Sequence, residues 1–198
     1  MANTQRNYEI VFAIKKHDSG VTTLAISPDR KFVYSGDLGN EIVKFDFRTG
    51  AVIEKITDVH GSLVWNIAIA PNGEYLVSGN TDVVKVLNTE TFELIQNLYE
   101  DVYEDDEDDY VYDVNSVAVS PNSITIAVGD KHGGVKLWRK GGGGMFECTK
   151  TLKDRESLMW VVVAFSPNSE MFASGGDDRK INVYSVANDF SRMHILEG

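Results

Sequence analysis

The side chains able to do chemistry in this chain are few, and their spacing does not bring them together. Four histidines, His17, His60, His132 and His194, are never paired at the ligand spacing of a helix or a hairpin. Cys148 is the one cysteine, so no intrachain disulfide and no thiolate cluster can form, which suits a reducing compartment. Gly141 to Gly144 could approach a phosphate closely, but the Lys-Ser/Thr that completes a phosphate loop is missing, and the run reads as a flexible outer loop. No Gly-x-Ser-x-Gly nucleophile motif occurs. Runs of carboxylates are concentrated in one stretch, too mobile in composition to hold a general acid opposite a base. The expectation is a protein without catalytic, cofactor or metal residues.

That acidic stretch dominates the charge. Between Tyr99 and Asp113 lie nine carboxylates and no basic residue, so of a net charge of -11 the rest of the chain carries -2. Glu104, Asp105, Asp106, Glu107, Asp108 and Asp109 form its densest part. Two readings stand: a docking loop for basic segments of a partner, or a solvated loop that serves solubility. A calcium site is disfavoured, since the glycine-containing ligand spacing is absent. The overall negative charge repels a phosphate backbone and argues against direct nucleic-acid binding. Ile10 to Ile14, cut short by Lys15 and Lys16, is too brief for a signal or a membrane span, so an intracellular protein, cytoplasmic or nuclear, is expected.

What must position any site is a repeat. Ser27-Pro28, Ala70-Pro71, Ser120-Pro121 and Ser166-Pro167 each close an alternating apolar run, and the prolines stand 43, 50 and 46 residues apart. Eight residues after each comes a glycine: Gly36, Gly79, Gly129 and Gly175. Fixed offsets within units and variable spacing between them mean a constant core with loops absorbing length. In the first unit the pattern predicts strands at Val21 to Ile26, Lys31 to Ser35, Ile42 to Phe47 and Ala51 to Ile56, joined by turn residues. Four short antiparallel strands make one sheet, and radial repetition is a way to cover both its faces.

This pattern resembles the WD40 repeat. Lys16-His17 and Val59-His60 stand at its Gly-His position, and Phe45-Asp46, Leu87-Asn88, Trp138-Arg139 and Tyr184-Ser185 at its Trp-Asp position. The resemblance implies an all-β fold of four antiparallel four-stranded β-propeller blades. Its repeats are expected at about 15–56, 57–98, 110–152 and 153–197, after an N-terminal tail at 1–9, with the acidic insertion at 99–109. The family's His, Ser, Asp and Trp brace maps to His17, Ser35, Gly39 and Phe45; to His60, Ser78, Asp82 and Leu87; to Tyr110, Val128, His132 and Trp138; and to Glu156, Ser174, Asp178 and Tyr184. No repeat holds the full set, so apolar packing is expected to dominate.

Ile10 to Ile14 and Met193 to Glu197 both read as outer strands, one more than a self-closing ring needs. The expectation is part of a larger propeller, or one completed by a partner chain or by a homodimer; a shortened product with no activity of its own is a further option. The resemblance implies a scaffold that binds proteins or peptides on its top face, with Trp65, Thr22, Asn115, Leu63, Met159, Lys131 and Asp177 near that rim. Trp65 either offers a binding hot spot or packs between blades; Trp160, at a usually buried valine position, is expected to pack, and Val161 to face the opening. The rival is an enzyme or small-ligand binder using the channel. Thr22, Trp65, Asn115 and Val161 offer it no general base.

Overall fold

The computed structural model describes residues 13–81, 83–98, 114–131, 133–153 and 160–197. They form sixteen strands in four sheets, each built from four consecutive strands. The first blade is β1 (Val21–Ile26), β2 (Phe32–Asp37), β3 (Ile42–Asp46) and β4 (Val52–Ile56). The second is β5 (Asn66–Ile69), β6 (Tyr75–Gly79), β7 (Val84–Asn88) and β8 (Leu94–Leu98). The third is β9 (Val114–Val119), β10 (Thr125–Asp130), β11 (Val135–Lys140) and β12 (Phe146–Leu152). The fourth is β13 (Val161–Phe165), β14 (Met171–Gly176), β15 (Lys180–Ser185) and β16 (Ser191–Glu197). All neighbouring strands run antiparallel.

The turns explain why the Ser-Pro pairs recur. The Ser27 hydroxyl accepts the Phe32 amide at 2.9 Å and donates to Asp29 at 2.6 Å, and Ser120 and Ser166 repeat this with Thr125 and Asn122 and with Met171 and Asn168. Each turn then needs one residue in the left-handed region, supplied by Arg30, Gly73, Ser123 and Ser169. The hairpin from third to fourth strand uses the residue after the Trp position. Asp46 accepts the Arg48 and Thr49 amides at 3.0 and 2.7 Å, and Asn88 does the same for Glu90 and Thr91.

Three apolar clusters hold the blades together, one per junction. Tyr34 and Ile42 of the first blade meet Val64, Ile67 and Leu87 of the second. Tyr75 and Val77 meet Val117, Ile126 and Trp138. Ala127 and Leu137 meet Val163, Phe172 and Tyr184. Strand β1 lies against β5, β5 against β9 and β9 against β13; no comparable packing joins the fourth blade to the first among the described residues. Leu24 and Ile26 on one end face, and Val162 and Ile181 on the other, are exposed.

Ala13 and Ile14 lie outside any strand, and the rest of the outer strand expected at Ile10 to Ile14 falls outside the described residues, as do the tail and the acidic insertion. Residues Ser191–Glu197 do pair, as the outer strand β16.

Candidate interaction face

The described rim residues lie at the starts of first strands, as Thr22, Trp65, Asn115 and Trp160 do, and in the turns from second to third strand, where the Leu38 amide donates to Gly20 O at 2.9 Å. A one-residue irregularity decides which of them face outward. In the first and third blades the pairing of first with second strand slips at Thr22 and Asn115, which turns the preceding residues toward the preceding blade: Val114 is buried there, and Val21, on the open end face, is exposed. In the fourth blade β13 pairs with β14 without a slip, Val161 opposite Gly176 and Val162 opposite Gly175. Strict alternation then turns Val161 inward, fully buried with its Cγ1 against Gly129, and sends Trp160 outward.

The expectation that Trp160 packs between blades and Val161 faces the opening is therefore reversed. Trp160 is 46% exposed and stacks on the half-buried Trp65, with ring centroids 5.8 Å apart and planes inclined by 22°. Both ends of the pair are held: the Trp65 amide donates to Gly79 O at 2.9 Å and the Trp160 amide to the Asp177 carboxylate at 3.0 Å. Two blades, the second and the fourth, thus share one aromatic surface.

The other rim residues divide. Thr22 is not free to bind: its hydroxyl donates to Gly36 O at 3.1 Å and to Val64 O, stitching the first blade to the second. Asn115 O accepts the Asn66 side-chain amide at 2.7 Å and joins the second blade to the third. Leu63 and Lys131 are half-buried at the rim, and Leu38 is exposed in the turn after β2. Met159, Asp113 and Glu104 to Asp109 lie outside the described residues.

The histidine brace is more complete than the sequence implied. His17 Nε2 and the Ser35 hydroxyl are 2.5 Å apart, and His17 Nδ1 lies 3.0 Å from Asp37 Oδ2. Asp37, two residues before the glycine at the family's Asp position, supplies the carboxylate, because its other oxygen caps the turn by accepting the Gly39 and Glu41 amides at 2.9 Å each. Phe45 stands edge-on to the imidazole at 6.4 Å. In the second blade His60 meets Ser78 at 2.7 Å. Burial, with a smaller effect of Lys85, pushes its imidazole down to about 4, so it is neutral at pH 7.

Glu41 also approaches His17, at 3.8 Å, so the ligand atoms of His17, Asp37 and Glu41 all lie within 4.8 Å of one another. The Lys55 ammonium sits 2.7 Å from Glu41, and both imidazole nitrogens are engaged, which is the arrangement of a brace. Sequence spacing could not show this convergence, because the three residues come from a loop, a strand end and a turn.

Four consecutive four-stranded antiparallel blades, packed face to face, define a repeat-built protein of the β-propeller class. The family model for the WD domain, G-beta repeat, matches residues 8–46, 53–86, 108–139 and 146–185, and the chain belongs to that family. Among proteins it resembles are "Actin-interacting protein 1" of Caenorhabditis elegans, 24% identical over 90% of this chain and 34% of that protein. Another is "Target of rapamycin complex subunit wat1" of Schizosaccharomyces pombe, 26% identical over 88% of this chain and 52% of that protein. The fold matches the solved structures of U3-55K and of the RRP9 WD40 repeats, each with a TM-score of 0.74 and 19% identity over 93% of this chain, covering 54% and 53% of those chains. The chain thus spans between about a third and about half the length of these proteins. No helix among the described residues is long and apolar enough to cross a membrane.

Proposed function

We propose that the chain is a protein-interaction scaffold whose top rim, centred on Trp65 and Trp160, receives a segment of a partner protein. Repeats of this family generally act as scaffolds in complexes. The observation that carries the reading is the stacked pair itself. Burying an aromatic surface is a large source of binding energy, and Trp160 leaves nearly half of its surface uncovered. Asp177 holds the Trp160 amide, Met159 and Leu63 lie one and two residues from the tryptophans in sequence, and in this reading Lys131 extends the same rim and the acidic residues Glu104 to Asp109 would add attraction for basic segments.

Partner capture by the wild-type chain and by Trp65→Ala and Trp160→Ala variants tests this. Each variant should keep its circular dichroism and lose partner affinity by about thirtyfold, the effect of a hot spot worth about 2 kcal/mol. Folded variants that retain every partner would remove the rim from consideration. Deleting residues 100–109 should weaken binding most at low salt; unchanged affinity and salt dependence would leave the loop a spacer.

A second reading adds to the first: the blades form an arc that other blades complete, in a partner chain, a second copy or a longer form of this chain. Leu24 on one end face and Ile181 on the other favour it, since each is exposed yet repeats a position that is buried at the inner junctions. The mass in solution is the direct measurement. A monomer whose end faces stay accessible to hydrogen exchange would count against completion by a second copy.

A further inference from the structure

The first blade breaks its own repeat at Lys44. The residue before the Trp position is Val86 in the second blade and Leu137 in the third, both fully buried, and Val183 in the fourth. In the first it is a lysine that is nevertheless 7% exposed. Its ammonium is held over the Phe32 ring at 4.5 Å, with Tyr34 at 5.6 Å and Phe92 at 5.7 Å, and donates to Thr89 O at 2.9 Å. Thr89 O is the only hydrogen-bond acceptor it has among the described residues, no carboxylate among them is paired with it, and Tyr34 also donates to that oxygen at 3.3 Å. A cation with three donors is thus buried with one of them used.

Beside it lies a cleft of about 250 Å³ between the first and second blades, on the side opposite the Trp65 rim. The same place is filled at the next junction. There Tyr75 reaches across and donates to Ser123 O at 3.0 Å, while the Ser123 hydroxyl accepts the Asn72 amide at 2.9 Å. At the first junction Phe32 replaces the tyrosine and has no hydroxyl to reach with, and Gly73 replaces the serine; a Cβ at Gly73 would meet nothing within 4 Å. Pro28 and Ile69 give apolar walls, and Asp29 and Glu90 stand exposed at the mouth. Burial, then the charges of Asp29, Glu54 and Glu90, push the Tyr34 hydroxyl up to about 12, so it remains a donor to Thr89.

The cleft is therefore positive at its floor, apolar on its walls and negative at its mouth. We propose that it captures the carboxylate of a partner peptide carrying a basic residue beside that carboxylate: the anion meets the free donors of Lys44, and the cation meets Asp29 and Glu90. Free phosphate is disfavoured, because it brings no cation of its own for the two carboxylates at the mouth, of which only Asp29 has an ion-pair partner among the described residues, the exposed Lys31 ammonium at 3.3 Å. The volume, below the about 300 Å³ at which pockets for drug-sized ligands begin, fits the last residue of a chain or one acidic side chain. This site goes beyond the rim proposed above and is independent of it.

Amide NMR of the full chain titrated with three short peptides tests the proposal. One has arginine at its penultimate position and a free C-terminal carboxylate, the second is the same peptide amidated, and the third is amidated but carries a glutamate next to the arginine. The free acid, the glutamate peptide or both should shift Gly73, Thr89 and Glu90 saturably, and which of them does identifies the source of the carboxylate. The amidated peptide without glutamate should bind at least about tenfold more weakly, the loss expected of one charge-assisted contact. Lys44→Met, which restores the apolar residue of the other blades, should abolish the shifts while raising the melting temperature, and Trp65→Ala should leave them unchanged. Equal binding of all three peptides, binding retained by Lys44→Met, or no saturable shift with any of them would overturn the proposal. The peptide comparison needs the wild-type chain alone, so it decides even if Lys44→Met fails to fold.

Discussion

The same repeat positions are buried at the three inner junctions and exposed at the two end faces, and this pairing is an internal control. Leu24 is 66% exposed, whereas its equivalents Ile67, Val117 and Val163 are 7%, 8% and 6% exposed, each against the preceding blade. On the opposite face Ile181 is 46% exposed, against 0%, 3% and 2% for Ile42, Val84 and Val135, which face the following blade. Residue type is nearly constant along each series and burial is not. Burial in these blades is therefore conferred by a neighbouring sheet, and the end blades keep a composition suited to a neighbour.

The most severe way to probe the contrast is to truncate matched side chains. Ile67→Ala removes atoms sealed between the first and second blades and should cost about 3 kcal/mol in urea unfolding. Leu24→Ala should change stability by less than about 0.5 kcal/mol. Equal losses would mean that the Leu24 face is covered in solution, and a neutral Ile67→Ala would mean that the junction does not pack as described.

Adding a methyl group probes the same contrast from the other side. At Gly36 a Cβ would lie 2.4 Å from Val64 Cγ1 and 2.9 Å from Thr23 Cγ2, so Gly36→Ala should cost about 2 kcal/mol through overpacking. Gly79 and Gly129 are less tight, each meeting a valine Cγ1 at 3.0 Å, and should lose less. At Gly175, where the fourth blade has no successor, the nearest atom is Ile181 Cγ1 at 3.9 Å, and Gly175→Ala should shift the urea midpoint little. An order other than Gly36, then Gly79 and Gly129, then Gly175 would contradict the assignment of closed and open faces.

Much of this fold is legible in the sequence, because its determinants are local. The first strand is observed at Val21–Ile26, as the alternation predicts, and the Ser-Pro turns form where the hydroxyls can bond five residues ahead. What escapes is set by register and by partners distant in sequence. Mapping the family brace by position pointed to Gly39, whereas Asp37 does the work, since a turn-capping carboxylate two residues earlier still reaches His17. Trp160 and Val161 exchanged roles because β13 lacks the slip found in β1 and β9, and a missing bulge leaves no mark in composition. Lys44 looks like any strand lysine until Thr89 and Phe92 of the second blade close over it. Trp65 was legible as an aromatic residue near the rim, but not its stacking on Trp160.

The smallest of the effects tied to a closed junction is a pH dependence. His60 is held by Ser78, and its amide donates to Asn40 of the preceding blade at 2.8 Å, so its burial depends on that blade being in place. With the folded imidazole at about 4 and the unfolded one near its ordinary 6.5, only the unfolded chain takes up a proton between those values. The contribution is complete above about pH 6.5, shrinks as the pH falls and is gone below about 4; by pH 5 it should have cost on the order of 1 kcal/mol. His60→Gln removes the titration without adding a charge. Its stability relative to the wild type should therefore improve on going from pH 7 to pH 5. A constant difference across that range would show that the imidazole is accessible to water and that the first junction is looser than its packing indicates.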